Sequence, residues 1–158
     1  MYNEKRCIVI LFDPSYIIHR IDIPMAYIYE LITRHKNDYI IYGGIDRLCS
    51  HVEEYAKVYK IPKERLINIC IPYRCSRGFI SMEVTSKWLT QILEYNPDLV
   101  YVFRDNNTIG MTTTLVKSCI DKNIKVKEYN NKGFVRDISY STIDVSKYYR
   151  TRPGEVVP

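Results

Sequence analysis

No apolar run in this chain approaches the roughly 18 residues of a membrane-spanning helix, so no membrane partner is expected. Glycine and proline are scarce, six and seven in 158 residues, which excludes collagen-like and low-complexity chains. Hydrophobic residues at 46% beside charged residues at 26% fit one globular domain with a real core. The opening MYNEKRCIVILFDP has too short an apolar segment and no small-residue cleavage site for a secretory leader. The expected location is therefore the cytoplasm, the host's if the chain is viral.

Cysteine is neither paired nor clustered. Cys7, Cys49, Cys70, Cys75 and Cys119 are odd in number, contain no Cys-x-x-Cys, and lie in or beside apolar segments. His19, His35 and His51 share no i, i+4 spacing. These spacings argue against a disulfide framework and a zinc site, and no metal or cofactor is expected. Long basic runs are missing too: the net charge of +5 comes from 23 basic and 18 acidic residues with no Lys/Arg run beyond two, so nothing reads as a nucleic-acid arm. The small surplus suits an anionic small molecule. The fifteen tyrosines, like the abundant Ile, Lys and Asn, have A/T-rich codons, a usage compatible with a viral or phage genome.

What is present is a β-α alternation. Apolar, β-branched segments at Cys7 to Phe12, Tyr39 to Tyr42, Leu66 to Ile71, Leu99 to Phe103 and Lys125 to Tyr129 read as five strands. The first four are almost wholly apolar, as strands covered on both faces must be. Helical stripes fall between them. Pro24 opens one running to about Lys36 with Met25, Ile28, Tyr29 and Ile32 inward. Asp46 to Lys60 carries Leu48, Cys49, Val52, Tyr55, Ala56 and Tyr59 at helical spacing. A third spans about Phe79 to Tyr95 with Val84, Trp88, Leu89 and Ile92 inward, and a fourth about Met111 to Lys122 with Leu115, Val116 and Cys119 inward. Asn96-Pro97 and Asn123 end these two. Right-handed crossovers then give an α/β, Rossmann-like, doubly wound parallel sheet of about five strands in the order 3-2-1-4-5. This domain is expected over residues 1–132. Residues 133–158 are expected to form a C-terminal extension, a short hairpin or an arm that makes the protein a homo-oligomer, because Phe134, Val135, Ile138, Ile143 and Val145 are too apolar for a free tail.

Ligands of open α/β sheets bind at the carboxyl ends of the strands, so the loops there hold the candidate contacts. Asp13 and Ser15 follow the first strand and offer a carboxylate and a hydroxyl. Gly43 and Gly44 follow the second, where the absence of side chains permits close backbone approach to an anion, with Arg47 beyond. A plain turn with Asp46 as N-cap explains the pair equally well. A bulky residue at Gly44 is expected to block the ligand and leave the fold intact. Arg74 and Arg77 precede the third helix and supply charge, or form a solvated basic loop. Arg104, Thr108, Gly110, Thr112 and Thr113 follow the fourth strand, where hydroxyls and free N–H groups suit a phosphate or ribose; helix capping is the plainer role for Thr108 or Thr112. Neither G-x-x-x-x-G-K-[ST] nor G-x-G-x-x-G occurs, which excludes the common triphosphatase and dinucleotide signatures.

The segments YGGIDRLCSHVEEYAK, YRCSRGFISM and TIGMTTTL, in this order on a β-α frame, resemble the SLOG superfamily over about Cys7 to Tyr129. That superfamily includes the cytokinin-activating "lonely guy" enzymes, DNA-processing proteins and binders of nucleotide-derived signals in antiviral conflict. The resemblance implies a Rossmann-like fold and a nucleotide or nucleotide-derived ligand, held by a sensor or sequestering protein in a virus–host conflict. The family's glycosidic-bond-cleaving branches place a catalytic Glu after the fourth-strand loop. Here Met111-Thr112-Thr113-Thr114 stands there and the next carboxylate is Asp121, so binding is expected in place of catalysis. The alternative is an N-glycosidic-bond-cleaving or transferring enzyme using Asp13, Asp105 or Glu83.

Overall fold

The computed structural model describes residues 5–13, 16–69, 82–104 and 112–138. In chain order these form β1 (Cys7–Phe12), α1 (Asp22–Arg34), β2 (Tyr39–Gly44), α2 (Asp46–Val58), a 3-10 turn (Lys63–Arg65), β3 (Leu66–Asn68), α3 (Met82–Glu94), β4 (Leu99–Phe103), α4 (Thr112–Asp121), β5 (Lys125–Tyr129) and β6 (Val135–Ile138). One sheet holds all six strands in the order β3-β2-β1-β4-β5-β6. The first five are parallel and β6 is antiparallel to β5. The fold is therefore the expected Rossmann-like, doubly wound α/β fold with the expected order 3-2-1-4-5, extended by a sixth strand. Among the described residues no helix is long and apolar enough to cross a membrane.

Period-2 alternation sorts the buried strands into two cores. Ile8, Ile10 and Phe12 of β1 and Tyr101 and Phe103 of β4 pack with Ile28, Leu31 and Ile32 of α1 and Leu48, Val52 and Ala56 of α2. Val9 and Leu11, with Val100 and Val102, pack with Trp88, Leu89 and Ile92 of α3 and Leu115, Val116 and Cys119 of α4. Positive φ at Asn96 and Asn123 lets the chain turn after α3 and α4, as Asn tolerates the left-handed region better than most residues. Val84 lies outside the described side chains.

One inward face and one helix cap differ from expectation. On α1, Leu31 is buried and Tyr29 is 47% exposed. Tyr29 instead lies between the two helices, ring centroids 5.2 Å from Tyr55 and 6.4 Å from Tyr59. Helix–helix packing, which no single stripe encodes, rotates the apolar face by this much. On α2, Asp46 is the first helical residue and not the cap: Ile45 occupies the N-cap and makes no side-chain capping bond. The Asp46 carboxylate sits in the first turn, where the helix dipole favours negative charge.

The glycine pair belongs to the sheet. Gly43 and Gly44 end β2, in register with Leu11 and Phe12. A Cβ on Gly43 would stand 1.9 Å from the Ile69 carbonyl oxygen, and one on Gly44, at φ +122°, 2.0 Å from that of Phe12. Neighbouring backbone already fills the space a ligand was expected to use. A bulky residue at Gly44 therefore collides with β1 itself, and the expectation of an intact fold is corrected.

The start of the C-terminal extension completes the sheet. Asn130 turns β5 into β6, its Oδ1 accepting from the Lys132 and Phe134 N–H groups. Ile138 is buried in the α3/α4 core, whereas Phe134 is 69% exposed. Residues 139–158, with Ile143 and Val145, lie outside the described residues.

A buried polar relay crosses the α1 side. His35 Nδ1 lies 2.9 Å from Asp38 Oδ2 and His35 Nε2 lies 2.7 Å from the Tyr101 hydroxyl. Burial lowers the His35 pKa, with Arg6 and Arg34 opposing protonation and Asp38 favouring it. The neutral ring thus donates from Nδ1 to Asp38 and accepts at Nε2 from Tyr101. Below the ordinary value of 6.5 the unfolded chain takes a proton that folded His35 refuses. Stability is expected to be full above that value and to fall as pH drops below it. Urea titrations across this range check it: the slope is expected to be shallower in His35→Gln, and an identical slope there would assign it to other groups.

Candidate functional site

The strand order reverses between β1 and β4: β2 and β3 lie to one side, β5 and β6 to the other. In open α/β sheets such a reversal is the place, outside the carboxyl ends of the strands, where ligands bind. The α3/α4-facing rows of the sheet stay apolar until their last position and there turn polar. Val9 and Leu11 lead to Asp13, Val100 and Val102 to Arg104, and Val126 to Glu128. All three polar residues are buried, with Glu128 1% exposed, and so are Thr112 and Thr113 at the start of α4.

These groups form one network. Asp13 Oδ2 accepts from the Thr112 backbone N–H at 2.8 Å and from the Thr112 hydroxyl at 2.7 Å. Asp13 thereby caps α4 from the far end of β1, supplying the acceptor that a helix start requires. The Arg104 guanidinium donates to the Thr113 hydroxyl at 3.1 Å and lies 3.4 Å from that of Thr112. Its Nε stands 3.5 Å from Glu128 Oε2, while Arg136 on β6 donates from Nε to Glu128 Oε1 at 2.9 Å. Two arginines therefore converge on one buried carboxylate beneath the N-terminus of α4. The sequence analysis did not single out Glu128 or Arg136. The signal for Glu128 was a carboxylate in phase with the inward row of β5; Arg136 follows only from the β5–β6 register, which sets it opposite Glu128.

Tyr16, just after β1, is a further group at this end. It is 3% exposed, meets Phe103 edge-on at 5.8 Å, and its hydroxyl has no hydrogen-bond partner among the described residues. Burial, with a smaller push from Tyr27, raises its pKa to about 12, so it stays a neutral donor. Leaving such a hydroxyl unpaired costs roughly 1–3 kcal/mol.

Of the expected contacts, the structure gathers Asp13, Arg104, Thr112 and Thr113 into the network, places Gly43 and Gly44 inside the sheet, and leaves Arg47 exposed on α2. Ser15, Arg74, Arg77, Thr108 and Gly110 lie outside the described residues. No group of three or more His, Cys, Asp or Glu side chains is placed to hold a metal among the described residues. The chain matches no protein-family model and no curated protein.

Proposed function

We propose that the protein binds a nucleotide or nucleotide-derived anion at the carboxyl ends of its strands, as a sensor or sequestering protein, in a virus–host conflict. The observation that carries this reading is the order reversal between β1 and β4 with the N-terminus of α4 above it. That arrangement sets the positive end of a helix dipole at the switch point, which favours an anion beyond the Thr112 N–H already taken by Asp13. The buried Tyr16 hydroxyl offers a donor that a ligand acceptor would satisfy. The resemblance to the SLOG superfamily supports the same class of ligand. In this reading the network of Asp13, Arg104, Thr112, Thr113 and Glu128 is a rigid platform, while Ser15, Arg74, Arg77, Thr108 and Gly110 make the contacts above it.

The enzymatic alternative loses one of its carboxylates, since Asp13 already accepts two hydrogen bonds from Thr112. Native mass spectrometry of protein purified from cells is expected to show a retained nucleotide-sized mass that disappears in Arg74→Ala/Arg77→Ala. Ligand-free spectra, together with no calorimetric response to nucleotides, would overturn the proposal. Release of free base from nucleotides, lost in Asp105→Ala, would replace binding by catalysis.

A further inference from the structure

The opposite end of the sheet carries a second concave surface. A cavity of about 520 Å³ opens at the amino ends of β4 and β5 on the α1 side, within the range of small-molecule sites. Its existence follows from β5, where Lys125 and Lys127 alternate with buried Val126 and Glu128, so one face of the strand is cationic while the other enters the core. α1 meets that face at Tyr129, whose ring lies 4.7 Å from that of Tyr27, and Lys125 stays exposed. Arg6, from the approach to β1, and Arg34, from the last turn of α1, add two guanidinium groups to the same cavity. Four cations thus face one lining carboxylate, Asp137, which is 85% exposed and 3.8 Å from Lys127. Leu99 and Tyr101 form a less polar wall.

One of these cations adjoins buried groups. Arg34 lies beside the Tyr101 oxygen, whose own proton goes to His35 Nε2, and His35 is held by Asp38. Arg34 also pairs with Glu30 on its own helix. The hydrogen bonds that run from Asp38 through His35 to Tyr101 fix the wall beside this cation.

We propose that this cavity binds a small organic polyphosphate, its phosphates between Arg34, Arg6 and the two lysines and its less polar part on the Leu99–Tyr101 wall. The site lies at the far end of the sheet from the switch point and does not depend on the ligand proposed there. A small molecule fits better than a nucleic acid, because the cations converge on one cavity and do not run along a groove.

Inorganic pyrophosphate is the probe, titrated by calorimetry at low salt into the full chain, Lys125→Ala/Lys127→Ala, Arg34→Gln and, as a control on α2, Arg47→Ala. The lysines are exposed or half-buried and their truncation leaves the core untouched, so that variant should fold. Both cavity variants are expected to weaken binding by about tenfold or more, with the control within about twofold. Tyr101→Phe, which removes the hydroxyl beside Arg34, is expected to give an intermediate loss and a shallower decline with added salt. No binding of pyrophosphate to the full chain, or equal affinity in cavity and control variants, would overturn the proposal. So would a single-stranded oligonucleotide that binds through these lysines where pyrophosphate does not.

Discussion

Gly44→Val is expected to leave most of the protein unfolded. At φ +122° a β-branched residue pays roughly 1–3 kcal/mol in backbone strain alone. The larger cost is steric: the new Cβ would lie 2.0 Å from the Phe12 carbonyl oxygen, 2.7 Å from its carbon and 2.9 Å from its Cβ. Phe12 cannot retreat, because β1 is the centre of the sheet, hydrogen-bonded on both sides, and its ring packs 4.9 Å from Phe103. Against a typical total stability of about 5–15 kcal/mol, strain and overpacking together are enough to melt the fold. Gly133→Ala is the informative comparison. It also has positive φ, at +90°, but its new Cβ would meet nothing closer than 3.8 Å. A loss of about 1 kcal/mol is expected there, from strain without collision. Circular-dichroism melts of the two variants separate the terms. A Gly44→Val protein that melts like the parent would show that β1 and β2 can part, returning the glycine pair to a ligand-facing role.

Glu128→Leu is expected to be nearly as damaging, for an electrostatic reason. Glu128 places its two oxygens 3.5 Å from Arg104 Nε and 2.9 Å from Arg136 Nε, and both Glu128 and Arg104 are buried. Removing the carboxylate takes a counter-charge from a buried guanidinium, a change worth about 3–5 kcal/mol. Arg136, half-buried on β6, can turn to solvent; Arg104 is held between β4 and α4. Replacing the pair together, Glu128→Leu with Arg104→Met, should recover much of the loss, since two apolar residues of similar volume need no counter-charge. Urea unfolding of both single variants and the double variant gives the coupling directly. A coupling near zero would mean that Glu128 has no part in holding Arg104.

The β-α order, the doubly wound topology and nearly every inward residue were legible along the chain, because each is a matter of local periodicity. A strand covered on both faces reads as a continuous apolar run, as CIVILF and LVYVF do, and a helix lying on it shows a 3.6-residue stripe. The switch point at the carboxyl ends followed from that topology. The roles of individual residues there did not. Asp13 reads as a free carboxylate after a strand, yet its partner Thr112 stands 99 residues away. Gly43 and Gly44 read as a ligand loop, yet what forbids a side chain is the backbone of Ile69, just past β3, and of Phe12 on β1.

What the sequence alone determined, then, was which residues alternate inward and outward on each element. Tertiary structure decided which outward residues meet. The alternation KVKEY already sets Lys125 and Lys127 against Val126 and Glu128. Only the packing of α1 across the sheet brings Arg34 to the lysine side, and only the antiparallel return of β6 brings Arg136 to Glu128 on the other. The physical reason is range. Periodicity acts over a few residues along one chain segment, whereas the charge pairs and the cavity depend on distances between segments that only a completed sheet fixes.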